Sequence, residues 1–537
     1  MNKKILSHIL SLLLLPLTTG ILSAQSRSFE LGKWLEIENS ILKNLYSSYV
    51  DTIPTERMMK AGITAMLEEL DPYTIYVPEE DNEDFEMMIS KSYGGIGAII
   101  HKSVGKYVVI NEPYEGSPAV KAGLECGDEI IEVDGYPVLN LTAKESTARM
   151  KGKPGSKVVF KVKKVRSGKI CNITVTRERI HLPDILYAGM YNDTTGYILQ
   201  TGFTQGVAKA LKENIVALKK KGMKHLVYDL RGNGGGMMSE AIDIVGLFVP
   251  KGSLVVTAKA FGKSNTVEYK TLYEPLDTRL PLTVLIDSGS ASASEIVSGA
   301  LQDMDRAVIA GKRSYGKGLV QHVVPLAYDG QLKITVAKYY TPSGRCVQAI
   351  DYSRRNEDGS VGQIPDSLTH EFRTASGRIV RDGGGITPDI ELEGNNYSRL
   401  TYSLVLNGVI DDYAMHYVQS HASLPEPEKF SLSDETFEDF VAFAKDKKFD
   451  YRSSAVALLD QVREAVRKDG MEESVGSTLK ELEDALKLDK EAFLRLKKAE
   501  IIPFIEEELT VRYHFQAAGV KIRLKYDEQL KRLFSHH

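Results

Sequence analysis

Only three cysteines, Cys126, Cys171 and Cys346, occur in 537 residues. An odd number excludes a fully paired set within one chain, and their spacing is not that of metal ligands. They read as small core hydrophobes. No charge sign dominates: 68 basic against 72 acidic side chains leave a net −4. That balance gives no electrostatic footprint for nucleic acid. The H-E-x-x-H signature of zinc hydrolases is missing. Beyond the first two dozen residues no apolar run is long enough to cross a membrane. With 42% hydrophobic and 26% charged residues, what is present is an ordinary globular mix. Its length predicts three or four domains.

The N-terminus stands apart. Lys3 and Lys4 precede an apolar run, Ile9 to Leu17, broken only by Ser11 and Pro16. Leu22-Ser23-Ala24 then offers small residues for cleavage. This layout predicts a secretory signal peptide over 1–24 and an exported, periplasmic protein. A membrane anchor is the other reading, although the run is short for a span of roughly 20 residues. No cysteine follows that would carry a lipid.

The remainder divides by pattern. Residues 29–90 are acidic, with Leu31, Trp34, Leu35, Ile41 and Leu42 at helical spacing, then Met58, Met59, Ile63, Met66 and Leu67. Residues 91–179 alternate as short strands, with a helix over Thr142 to Met150. Residues 180–395 alternate strands and helices, an α/β signature. Residues 400–537 lack strong strand signals and carry amphipathic stretches such as Leu479, Leu482 and Leu486. The fold class expected is α/β and multidomain.

Three segments could carry chemistry. Ser288-Gly289-Ser290-Ala291-Ser292-Ala293-Ser294-Glu295 joins a buried strand to a helix. A serine there meets free N–H groups and the positive helix end, which suits a nucleophile whose attack creates an oxyanion. Ser292-x-x-Glu295 equally matches a capping box. Lys317, in Ser314-Tyr315-Gly316-Lys317-Gly318, precedes a strand. If that strand begins by Lys317, Gln321 shares its face and would orient it. Apolar neighbours would desolvate the amine, as a general base requires. A surface lysine in a glycine loop is the plain alternative. Arg231-Gly232-Asn233-Gly234-Gly235-Gly236 follows a strand, and is either an oxyanion-binding loop or a tight turn. Gly311-x-x-x-x-Gly316-Lys317 imitates a P-loop, but Gly318 stands where Ser or Thr is needed and a strand follows. His225 and His322 show no paired acid for a Ser/His mechanism.

These segments, with Leu70-Asp71-Pro72-Tyr73, Lys338-Tyr339-Tyr340-Thr341-Pro342-Ser343-Gly344-Arg345 and Gly385-Ile386-Thr387-Pro388-Asp389, resemble the carboxyl-terminal processing proteases, peptidase family S41, across roughly residues 30–395. The resemblance implies a peptidase core with an inserted PDZ domain over 91–179, N-terminal helices and a helical C-terminal extension. It implies Ser292 as nucleophile, Lys317 as base and Gln321 as its orienting residue. Ala293 and the Gly234, Gly235, Gly236 turn would form the oxyanion hole. No metal, ATP or other cofactor is implied. Partners would be protein or peptide substrates with free, nonpolar C-termini, their carboxylate held on Tyr93-Gly94-Gly95-Ile96-Gly97-Ala98. Some members place an arginine where Lys151 stands before Gly152; lysine keeps the charge and loses the bidentate geometry. A homo-oligomer or adaptor protein stays open. The alternative function is a non-catalytic PDZ scaffold that kept the peptidase fold.

Overall fold

The computed structural model describes residues 28–535 apart from 103–104, 263–264, 357–359, 452 and 487–488. The signal-peptide reading of 1–24 lies outside the described residues. The chain forms two compact units, divided between Tyr76 and Val77. In the first, residues 28–48 and Thr55–Glu68 are helical. The pattern breaks at Leu70-Asp71-Pro72-Tyr73 for a local reason. Buried Asp71 accepts from the Tyr73 and Thr74 N–H groups at 2.8 Å each and from the Thr74 hydroxyl at 3.1 Å. An aspartate that satisfies the following backbone favours a turn over another helical residue.

The second unit opens with helix Asn82–Ser90, which the sequence pattern grouped with the preceding helices. A smaller antiparallel sheet follows, ordered Ala98–Lys102, Val108–Pro113, Glu129–Val133, Lys157–Lys163, Ile170–Thr176. Alternation decides its faces: Val158, Phe160 and Val162 are buried while Lys157, Val159 and Lys163 face out. Helix Ala143–Met150 closes one side. Its start is a capping box: Thr142 Oγ1 accepts from Glu145 N–H at 3.2 Å, and the Glu145 carboxylate accepts from Thr142 N–H at 2.7 Å.

The catalytic-core candidate is a six-stranded sheet ordered Ile185–Met190, Thr195–Gln200, His225–Asp229, Leu282–Ile286, Val308–Gly311, Ile390–Glu391. Its first pair is antiparallel and the others parallel. Being buried on both faces, its central strands read as continuous apolar runs. Ile198, Leu226, Tyr228, Val284 and Ile286 point to one face, against helices Val207–Lys220, Met238–Gly246 and Ala293–Asp303. Tyr197, Leu199, Val227 and Leu285 point to the other. What covers that face was not legible in the sequence: Leu530 and Leu533 of the last helix, Glu528–Ser535, with Val520 from the part of Lys498–Tyr526 that follows its kink at Phe515. The C-terminal helices otherwise build their own core around Tyr413, Phe437, Phe440, Ile501 and Leu509. Among the described residues no helix is long and apolar enough to cross a membrane.

Candidate active site

Three neighbouring parallel strands end on the same side of the sheet, and each hands its chain to one candidate segment. His225–Asp229 leads to the glycine loop, Leu282–Ile286 to the serine turn, and Val308–Gly311 to the lysine turn. Loops at the carboxyl ends of such strands are where open α/β sheets gather functional groups. His225 lies at the opposite end, bonded to Thr283 Oγ1 at 3.0 Å, which separates it from the serine turn.

Of the three alternating serines, two are spent on structure. Ser290 is buried and its hydroxyl donates to Leu230 O at 2.8 Å. Buried Ser294 donates to Asn233 O at 2.8 Å. Both bonds fasten the serine turn to the glycine loop. Ser292 alone of the three is partly exposed. Its backbone has φ 56° and ψ −112°, outside the extended region of an ordinary N-cap. A non-glycine residue held there costs on the order of 1–3 kcal/mol and persists only where its surroundings impose it.

Those surroundings are Glu295 and Tyr339. Glu295 is fully buried. Its Oε2 accepts from Ser292 N–H and from Lys317 N–H, each at 2.8 Å. Its Oε1 accepts from the Ser314 hydroxyl at 2.6 Å and Gly316 N–H at 2.7 Å. Burial pushes the Glu295 carboxyl above the ordinary glutamate range, against the pull of these four bonds. The buried Tyr339 hydroxyl makes the second bridge, its one proton shared between Lys317 O at 2.7 Å and Ser292 O at 3.1 Å. One carboxylate oxygen and one phenol thus bind the backbones of Ser292 and Lys317 together. The sequence showed Glu295 only as a capping residue and gave Tyr339 no role.

The glycines on either side of Lys317 have a packing reason. At Gly316, φ 88°, a Cβ would lie 2.4 Å from the Ala349 Cβ. At Gly318 it would lie 2.8 Å from Gln348 N. Gln321 sits differently from the expectation. The strand begins at Leu319, after Lys317, and its register shifts between Val320 and Gln321. A bulge breaks simple alternation, and the Gln321 amide donates to Thr335 Oγ1 at 3.2 Å.

On the glycine loop, Gly235 packs directly under the serine turn. A Cβ there would meet Ala291 O at 2.7 Å, Ala293 N at 2.9 Å and Ser292 Cβ at 2.9 Å. The Gly235 N–H donates to Asn233 Oδ1 at 2.9 Å. Those of Ala293 and Gly234 take no partner among the described residues. The two remaining motifs brace this site. Ile386 N–H donates to Ser314 Oγ at 2.6 Å. Arg345, fully buried, pairs with Asp303 at 2.8 Å on the far end of the helix that Ser292 begins.

In the smaller sheet, Ala98–Lys102 is an edge strand beside helix Ala143–Met150. The expected carboxylate loop is shorter than Tyr93 to Ala98. Ser92–Gly95 is a strand paired with Glu178–His181. It lies so close to Gly152 that a Cβ on Gly94 would meet Gly152 O at 2.2 Å. Ile96 O and Gly97 O accept from Ala119 N–H and Tyr114 N–H at 2.9 Å each, which ties the carbonyl side of the turn inward. Lys151 has a partner within the chain: its Nζ lies 2.9 Å from Asp84 Oδ1, a bond that holds Asp84 below its usual range.

The sequence models agree with this division. The model of peptidase family S41 matches residues 194–353, a PDZ-domain model residues 87–176, and that of the C-terminal helical domain of a probable PDZ-protease residues 400–533. The carboxy-terminal processing protease CtpA of Bacillus subtilis is 32% identical over 330 residues, 61% of this chain and 70% of the relative. A carboxy-terminal-processing protease of Bartonella bacilliformis is 32% identical over 314 residues, 58% of this chain and 71% of the relative. Among solved structures, the photosystem II D1 C-terminal processing protease is 25% identical with a TM-score of 0.37, covering 66% of this chain and 86% of its own. The chain belongs to peptidase family S41, the carboxy-terminal processing proteases, and is a serine-type endopeptidase.

The contact between Gly235 and the serine turn is open to test. Gly235→Ala places a methyl where neither backbone can yield, at a φ of 98°. Peptidase kcat should fall at least about 100-fold, since a displacement near 1 Å is enough for that loss. Unchanged kcat would mean that the glycine loop does not position the serine.

Proposed function

We propose that this chain is an exported endopeptidase in which Ser292 is the nucleophile and Lys317 the general base, acting on proteins recognised at their C-termini through the PDZ domain. The observation that carries the reading is the double bridge by Glu295 and Tyr339 between the Ser292 and Lys317 backbones. Export rests on Lys3, Lys4 and the apolar run Ile9 to Leu17, with the periplasm as destination.

The chemistry follows from the groups. Neutral Lys317 takes the Ser292 hydroxyl proton as Oγ attacks the peptide carbonyl. Negative charge gathers on the carbonyl oxygen and is met by the Ala293 and Gly234 N–H groups. Lys317 returns the proton to the leaving amine, and an acyl-enzyme remains. Water, deprotonated by the same lysine, then releases the acid. Gln321 acts as a positioning residue, its amide held by Thr335 on the neighbouring antiparallel strand. A substrate C-terminus would add as a strand along Ala98–Lys102, with its carboxylate at Ile96 and Gly97 and a nonpolar last side chain toward the helix.

Two tests separate the parts. Ser292→Ala and Lys317→Ala should each abolish hydrolysis of an unstructured protein such as casein while the melting curve is kept; full activity in either variant sinks the pair. Amidating a peptide substrate's C-terminus removes the charge that the turn would bind. A charge-assisted hydrogen bond is worth about 1.5–3 kcal/mol, so kcat/KM should drop about 10-fold or more, chiefly through KM. Equal cleavage of amide and free acid would exclude carboxylate recognition.

A further inference from the structure

Arg231 is the residue before the glycine loop, and the proposed mechanism leaves it without a role. Its guanidinium is held from both sides. Within the core, Nε and Nη2 bond the Asp229 carboxylate at 2.5–3.0 Å, and Asp229 also accepts from the Tyr197 hydroxyl at 2.5 Å. From the other end of the chain, Asp527 Oδ2 accepts from Nη2 at 2.7 Å and Gln529 Oε1 from Nη1 at 2.7 Å. The two grips lie almost three hundred residues apart in sequence.

The C-terminal grip is itself anchored. Asp527 Oδ1 accepts from Leu530 N–H at 3.0 Å, so one carboxylate caps the last helix and holds Arg231. Gln529 Nε2 donates to Leu392 O at 2.7 Å beside the edge strand. Asn395 ties both flanks, through Tyr526 O at 3.1 Å and Glu528 N–H at 3.1 Å. Leu530 and Leu533 are buried on the sheet, and Phe534 stacks on Tyr191 with ring centroids 5.1 Å apart. Residues 526–534 are a fixed point against which Arg231 is set.

What Arg231 sets is the loop on which catalysis depends. Leu230 O receives the Ser290 hydroxyl, and Asn233 O receives both Ala291 N–H and the Ser294 hydroxyl. The chain between them holds Arg231 and Gly232, and Gly234 follows. A shift of Arg231 therefore passes within three residues to an oxyanion donor and to the serine turn. We infer that Asp527 and Gln529 are positioning residues for the oxyanion loop, so that the C-terminal helical domain completes the active site rather than being appended to it. The inference rests on the Ser292 reading above.

The test uses the full chain and a free-acid peptide substrate. Asp527→Asn keeps an oxygen for the helix cap and removes the charge that grips Arg231. Gln529→Leu keeps the volume and removes the second grip. Each should lower kcat about 10–100-fold, less than the 100–1,000-fold loss of a deleted oxyanion donor. KM should stay within about 2-fold. Affinity for a peptidyl boronate, which mimics the tetrahedral intermediate, should fall in step with kcat/KM. Asp527→Glu should recover part of the rate. A merely structural role would lower the melting temperature and leave the boronate affinity of the folded fraction alone; that result overturns the proposal, as does wild-type kcat in both variants. If one variant does not fold, the other decides. A wild-type chain that neither cleaves the peptide nor binds the boronate overturns the peptidase reading and this proposal together. Active wild type with unaffected variants overturns this proposal alone.

Discussion

The Glu295 carboxylate is the interaction on which the rest of the site depends. A charged group with no access to water is costly unless its lone pairs are used. Here they are, by two backbone N–H groups from the lysine turn, one from the serine turn, and the Ser314 hydroxyl. That arrangement offsets the strain at Ser292 and fixes the approach of the lysine turn in one step. Tyr339 repeats the bridge from the carbonyl side, and burial raises its hydroxyl well above the usual tyrosine range, so it stays a neutral donor.

The architecture exists around this site to make three loops meet. Parallel pairing brings three strand ends side by side, and the helices on one face begin where the loops end. The opposite face is closed by the C-terminal helices, which also reach Arg231. The PDZ sheet touches those same helices, where Gln516 donates to Glu112 at 3.1 Å. Burial pushes the Glu112 carboxyl up. The helical extension thus contacts both the sheet offered for substrate recognition and the loop offered for catalysis.

Much of this was legible in the sequence because it is local. The buried strands announce themselves as apolar runs, and the serine between strand and helix pointed to the site. What escaped notice is long-range or conformational. A capping box and a buried bridging carboxylate have the same sequence, Ser292-x-x-Glu295; only the Gly316 and Lys317 N–H groups tell them apart. Alternation from Lys317 to Gln321 was undone by a later strand start and a bulge, which no residue type there signals. The Lys151–Asp84 pair escaped notice because Asp84 lies on a helix that the sequence placed in another region. The cover of the second sheet face could not be found by periodicity, since Leu530 and Leu533 look like any short amphipathic turn.

The central claim is that one buried carboxylate sets the serine and the lysine together. The direct measurement is the rate at which a fluorophosphonate phosphonylates Ser292, with loss of fluoride, in Glu295→Gln. A glutamine offers one acceptor oxygen where four donors now converge, and its own N–H₂ must face some of them. The expected result is a rate at least about 100-fold below wild type in protein that still melts cooperatively. Phosphonylation at the wild-type rate would contradict the account.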